Sequence, residues 1–213
     1  MSRVICVAGE SGSGKTTACR NLNPETTYYI DADKTGLSWK GWRSQYNASR
    51  KNYVATDDPK MVQTILRGVS ETRPEIKTIV VDTLNGVMVG DEMRRIKEKG
   101  YDKWVDIASF VWGIVDSAYS YRDDLTIVFL CHTQTERDES GYTWTRIKTN
   151  GRKLDKIVLE SKFTTVLLAK AVKGKYIFET QSNNSTAKTP LGAFESPEID
   201  NDILEVIKAL EEF

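Results

Sequence analysis

Short apolar runs recur along this chain, each followed by a polar break and then by a helical stripe. Val4–Ala8, Tyr28–Ile30, Thr78–Val81 and Leu125–Cys131 are largely uninterrupted apolar segments, too short for buried helices. Runs of this kind predict strands covered on both faces, as in a parallel sheet. Phe163–Ala171 and Tyr176–Thr180 flank Val172-Lys173-Gly174, a spacing that predicts a hairpin. Asp58-Pro59 reads as a helix cap with proline at the first helical position, burying Val62, Ile65, Leu66 and Val69. A second stripe is Ile107, Phe110, Val111, Ile114, Val115 and Ala118; a third, from about Asp202, holds Ile203, Val206, Ile207 and Leu210. Alternation first and adjacent strands late predict an α/β fold. It has a mainly parallel central sheet, helices on both faces and an antiparallel hairpin at the edge. One domain over residues 1–213 is expected, without repeats or linkers. Segments 34–57 and 133–152 are polar and irregular, and read as functional loops.

Composition narrows the classes. The chain has 213 residues, 39% of them hydrophobic, enough for a full core. Thirty basic residues balance thirty acidic ones, so any polyanion site is a local patch. Cys6, Cys19 and Cys131 lack metal-ligand spacing and read as buried thiols. No leader pattern or membrane-length apolar run is seen, which points to the cytosol and away from a membrane partner.

The chemistry begins where the first strand ends. Gly9-Glu10-Ser11-Gly12-Ser13-Gly14-Lys15-Thr16 fills the G-x-x-x-x-G-K-[ST] pattern between a buried strand and an expected helix. Its glycines let successive N–H groups surround a phosphate, and Thr17 adjoins as a further contact. Lys15, on an exposed loop, is to reach the β- and γ-phosphates, and the Thr16 hydroxyl is to ligate magnesium. Ile79-Val80-Val81-Asp82-Thr83 puts a carboxylate at the tip of a neighbouring parallel strand, where Asp82 holds Mg²⁺ through its waters. Hydrolysis needs a group to orient the attacking water. Asp31 and Asp33, one strand period apart, point the same way, and either can face the γ-phosphate. His132 ends the strand Leu125–Cys131, over the crevice where α/β sheets bind ligands, and reads as a γ-phosphate sensor.

In order, the strand–phosphate loop–helix, Ile30-Asp31-Ala32-Asp33, Val80-Val81-Asp82-Thr83 and a strand ending in His132-Thr133 resemble a RecA-like ATPase core. Arg122–Thr126, Gly151-Arg152-Lys153-Leu154, and Phe178-Glu179-Thr180-Gln181 leading to Ala187-Lys188-Thr189-Pro190 sharpen the likeness. They resemble small phage-encoded ATP-binding proteins of the AAA/RecA type, the minimal RecA-like single-strand annealing ATPases among them. The resemblance implies ATP and Mg²⁺ as cofactors and a homo-oligomer working on single-stranded DNA in host cytoplasm. A single-strand-binding protein is a further implied partner. The catalytic acid, usually glutamate, falls on Asp33, one methylene shorter, which implies less efficient hydrolysis. The resemblance also gives Lys188 a role in trans on a neighbour's γ-phosphate.

Segment 142–156 adds charge and aromatics. Arg146, Lys148, Arg152, Lys153 and Lys156 face one acid, Asp155, interleaved with Tyr142 and Trp144. This is the composition of a single-strand contact. Arg94, Arg95, Lys97 and Lys99 form a second candidate patch. Two other classes stay open. One is a P-loop kinase of nucleotides or small metabolites, with segment 134–152 as its arginine-bearing lid. The other is a non-catalytic scaffold that uses nucleotide only to assemble.

Overall fold

Each apolar run becomes a strand, continuous because both faces of the sheet are covered. The computed structural model describes residues 1–100, 102–149 and 158–213. In it β1 (Arg3–Gly9), β2 (Thr27–Asp31), β3 (Tyr53–Ala55), β4 (Thr78–Asp82), β5 (Thr126–Arg137) and β7 (Thr165–Val172) run parallel. The strands β6 (Thr143–Ile147), β8 (Lys175–Glu179) and β9 (Glu198–Asp200) are antiparallel to their neighbours. Across the sheet the order is β3-β2-β4-β5-β1-β7-β8-β9, and β6 pairs with the outer part of β5. The helices are α1 (Trp42–Gln45), α2 (Pro59–Thr72), α3 (Leu84–Arg94), α4 (Asp102–Ala118) and α5 (Ile203–Ala209).

Alternate residues of β1 enter opposite cores: Val4, Cys6 and Ala8 one, Ile5 and Val7 the other. The first core is roofed by α2, α3 and α4, and the second by α5 and an aromatic plug. That plug comes from segment 34–57, which the polarity pattern reads only as a functional loop. Tyr46 is buried at ring-centroid distances of 5.6 Å from Tyr29 and 6.0 Å from Trp39. Trp39, Trp42, Tyr46 and Tyr53 stand at i, i+3, i+7 and i+14, a helical spacing, yet only Trp42–Gln45 forms a helix, so these rings are gathered by packing and not by one continuous helix.

The Asp58 cap forms as expected, and Asp202, where the last helix was to begin, also caps it. Asp58 accepts from the Lys60 and Met61 N–H groups at 2.9 and 3.3 Å, and Asp202 from that of Leu204 at 3.0 Å. Lys173 and Gly174 both have positive φ, 49° and 81°, the turn that matches hairpin twist. Three expectations change. The element after the phosphate loop is a single 3₁₀ turn, Thr16–Cys19, not a full helix. Threonine, cysteine and asparagine are weak helix formers, and Pro24 stops the chain shortly before β2 begins. The residues up to Ile147 of segment 133–152 form a regular ribbon, not a loop. Finally, β4 does not adjoin β1, because β5 lies between them.

Candidate functional site

The inserted strand organises the site. Gly9 at the end of β1 stands opposite His132 on β5, and Leu130 of β5 stands opposite Asp82 of β4. His132 therefore rises between the phosphate loop and the acids. It does not end its strand; β5 continues to Arg137 because β6 supplies a partner. Phosphate loop, acids and histidine line one cleft of about 1090 Å³.

Loop geometry explains the glycines. A Cβ on Gly9 would lie 2.4 Å from Ser13 Oγ and 2.8 Å from the Ala169 carbonyl oxygen. Gly14 has φ +94°, and a Cβ there would meet the Tyr176 ring at 2.7 Å. Lys15 is not on an exposed loop as expected. It is only 6% exposed, its Nζ donating to the carbonyls of Gly9 and Glu10 at 2.9 and 2.8 Å. Burial lowers its pKa, against the pull of Asp82 and its other neighbours. These bonds fold the ammonium over the loop's own rim, where Lys15 lines the cleft.

Thr16 and Asp82 meet. The Thr16 hydroxyl donates to Asp82 Oδ2 at 2.8 Å, and Tyr29 donates to the same oxygen at 2.7 Å. Burial pushes the Asp82 carboxyl up to about 6, more than these two hydrogen bonds pull it down. One hydroxyl and one carboxylate at the phosphate loop suit magnesium, which takes few protein ligands and completes its shell with water and phosphate.

The two acids after β2 separate. The strand ends at Asp31, so its alternation does not carry on to Asp33. Asp31 is buried and turned inward, accepting from Gly36 N–H at 2.8 Å and the Tyr53 hydroxyl at 2.7 Å. Asp33 lines the cleft, with Thr83 Oγ1 donating to it at 2.9 Å. His132 Nε2 lies 3.8 Å from Asp33 Oδ2, beyond direct hydrogen-bond length but close enough for an ion pair when the ring is protonated. Burial raises the Asp33 carboxyl, but His132 and Thr83 outweigh it and hold it below its ordinary value.

Several site residues escape the sequence reading. Thr83 caps α3 through Gly86 N–H at 3.0 Å while holding Asp33. Asn85 accepts from the His132 N–H at 2.7 Å and donates to the Lys148 carbonyl at 2.8 Å, tying α3 to both strands of the ribbon. A threonine-plus-three cap at Thr83 was the only available signal; the rest are long-range contacts. Asp57 also faces the cleft, paired with Lys34 at 2.8 Å and Arg94 at 2.6 Å. Arg94 is thus engaged in this pair, and Arg95 in pairs with Glu98 and Asp106 at 2.8 and 2.9 Å. Of the second basic patch, Lys97 and Lys99 are exposed.

The remaining candidates lie elsewhere. Trp144 and Arg146 are on β6, where Trp144 stacks on Tyr142 at 6.0 Å and Arg146 pairs with Glu136 at 2.7 Å. Lys148 follows with an exposed side chain. Arg152, Lys153 and Lys156 fall outside the described residues. Lys188 is exposed, bridges its backbone to Val166 and does not line the cleft.

Comparison with known proteins fits this geometry. A family model described as AAA domain matches residues 1–191. No curated protein matches the chain. Phosphate loop, the Thr16–Asp82 pair and sheet topology agree with that match: the chain belongs to the AAA domain family of P-loop nucleotide-binding ATPases.

Proposed function

We propose that the chain hydrolyses ATP with Mg²⁺ and couples turnover to homo-oligomeric assembly on single-stranded DNA, in recombination or replication in phage-infected cytoplasm. Asp33, set beside the Thr16–Asp82 pair and under His132, is the observation that carries the hydrolytic half. The loop N–H groups and Lys15 bind the phosphates, and Thr16 and Asp82 would hold magnesium, which neutralises charge on the transferred phosphoryl group. Asp33, held ionised, orients water; His132, at the strand crossing, senses the terminal phosphate.

Continuity supports the DNA half. His132 lies on the strand that runs directly into the β5–β6 ribbon, and Asn85 joins its N–H to the Lys148 carbonyl. A shift at the γ-phosphate position thereby has a short path to Trp144, Arg146 and Lys148. Lys188 is exposed and outside its own cleft, which supports a role in trans on a neighbour's γ-phosphate. Gln134–Arg137 and Thr143–Ile147, within the segment read as a kinase lid, pair as strands, which favours the ATPase reading over the kinase one. No helix among the described residues is long and apolar enough to cross a membrane. The deciding experiment measures ATP turnover with and without single-stranded DNA, beside phosphoryl transfer to a panel of nucleotide and metabolite acceptors. DNA-stimulated turnover without transfer supports the proposal. Transfer to an acceptor overturns it, and binding without turnover leaves the scaffold reading.

A further inference from the structure

Past Thr17 and Tyr176 the phosphate cleft opens into a second groove of about 550 Å³, whose walls include both residues. Asp33, Asp82 and His132 line the cleft but not this groove. They mark the terminal-phosphate end, so a nucleotide lying along the loop from Lys15 to Thr17 carries its nucleoside toward the groove. The far wall is the turn between β9 and α5. Arg20 fastens that turn to the phosphate loop, its Nη1 donating to the carbonyls of Thr17 at 3.1 Å and Asn201 at 2.6 Å. Asn21 Nδ2 donates to Asp202 Oδ2 at 2.6 Å, a second tie.

Asn201 is the unusual member of this wall. It is 3% exposed, and neither its Nδ2 nor its Oδ1 has a hydrogen-bond partner among the described residues. A buried amide left unsatisfied at both ends is destabilising, and native proteins retain few such groups without a reason.

We propose that the groove is the nucleoside subsite and that Asn201, swinging its carboxamide about the side-chain bonds, selects adenine while Tyr176 provides the stacking surface. This rests on the phosphate-loop reading above. One donor and one acceptor on a carboxamide match the amino group and ring nitrogen of adenine in a bidentate pair. The corresponding guanine edge offers two acceptors and leaves the amide oxygen opposed. The Tyr176 ring lies against Gly14 and is 44% exposed, so one end is anchored on the loop and the other is open to a base. Asp200, Asp202 and Glu205 outnumber Arg20 and Lys175 around the groove, which suits a neutral nucleoside better than further phosphate.

Calorimetric titration of the full chain with Mg²⁺ and ATP, inosine triphosphate, GTP or inorganic tripolyphosphate tests this. ATP should bind roughly ten- to a hundredfold more tightly than inosine triphosphate, which replaces the amino group by a carbonyl, and than GTP. Asn201→Ala should bring ATP to the level of inosine triphosphate and leave tripolyphosphate affinity unchanged. If that variant does not fold, the ATP-to-inosine-triphosphate ratio of the unmodified chain still decides. Equal affinities, or a folded Asn201→Ala that keeps the full preference for ATP, overturn the adenine assignment while the phosphate loop stands. If tripolyphosphate and every nucleotide fail to bind, both readings fall together.

Discussion

Burial raises the Asp82 carboxyl to about 6 because the group is enclosed between Tyr29, Thr16 and the sheet. The folded value lies above the ordinary 3.8, so the folded chain holds the proton more tightly than the unfolded one. This contribution to stability is present at low pH and is lost as pH rises through about 6, where the buried charge becomes a cost. The gap amounts to up to ~3 kcal/mol at about 1.4 kcal/mol per pH unit. Asp82→Asn keeps an oxygen for both hydroxyls and removes that charge. It should raise the melting temperature of the nucleotide-free chain at pH 8 while weakening Mg²⁺-dependent ATP binding. In the parent, the Mg²⁺-dependent part of binding should fade as pH drops below about 6, measurable by titration across pH 5–8. Asp33 has the opposite design, ionised and oriented by Thr83. Asp33→Asn should reduce turnover about 10²-fold or more while ATP binding persists. Full activity in that variant returns the role to another residue; Asp31 is the poorer candidate because Tyr53 and Gly36 occupy its carboxylate.

The β5–β6 ribbon is the element through which nucleotide and DNA are proposed to meet, and its side chains are not equivalent. Arg146 already answers Glu136, so Lys148→Glu is the cleaner probe of phosphate contact. It should weaken single-stranded DNA binding and flatten the salt dependence by about one counterion. Trp144→Ala should cost about 1–3 kcal/mol with little change in that slope, if a base displaces its stack on Tyr142. Asn85→Ala breaks the clamp between His132 and Lys148. Basal ATP turnover and DNA binding should then persist individually, with the stimulation of turnover by DNA reduced. Undiminished stimulation would disconnect the ribbon from the cleft.

On the scale of the whole molecule, the cleft is open on one side, and besides Lys15 the lysine and arginine that line it, Lys34 and Arg94, are held by Asp57. A cation from a neighbouring subunit could stabilise the transition-state charge, an effect typically worth about 10³–10⁵ in rate. Specific activity should therefore rise with protein concentration. Mixing Lys188→Ala chains with Lys15→Ala chains should restore turnover that neither shows alone. Concentration-independent activity, with Lys188→Ala fully active, excludes a shared site.

Local chemistry decided the parts of this protein that depend on neighbours in sequence. The phosphate loop, the Asp58 and Asp202 caps, the Lys173–Gly174 turn and the buried strands follow from backbone conformations and burial patterns set within a few residues. Even the placement of Asp82 at a strand tip was legible, since an apolar run ending in a carboxylate says where the run leaves the core. The residues leave Asp31 and Asp33 equivalent and the resemblance points to Asp33; only the tertiary structure turned Asp31 inward, where Tyr53 and Gly36 capture its carboxylate, and left Asp33 lining the cleft. Only it inserted β5 between β1 and β4, setting His132 between phosphate loop and acids, and only it joined Asn201 to the loop through Arg20. Strand order and buried polar partners are pairings between distant segments, and no periodicity within a segment encodes which distant partner it meets.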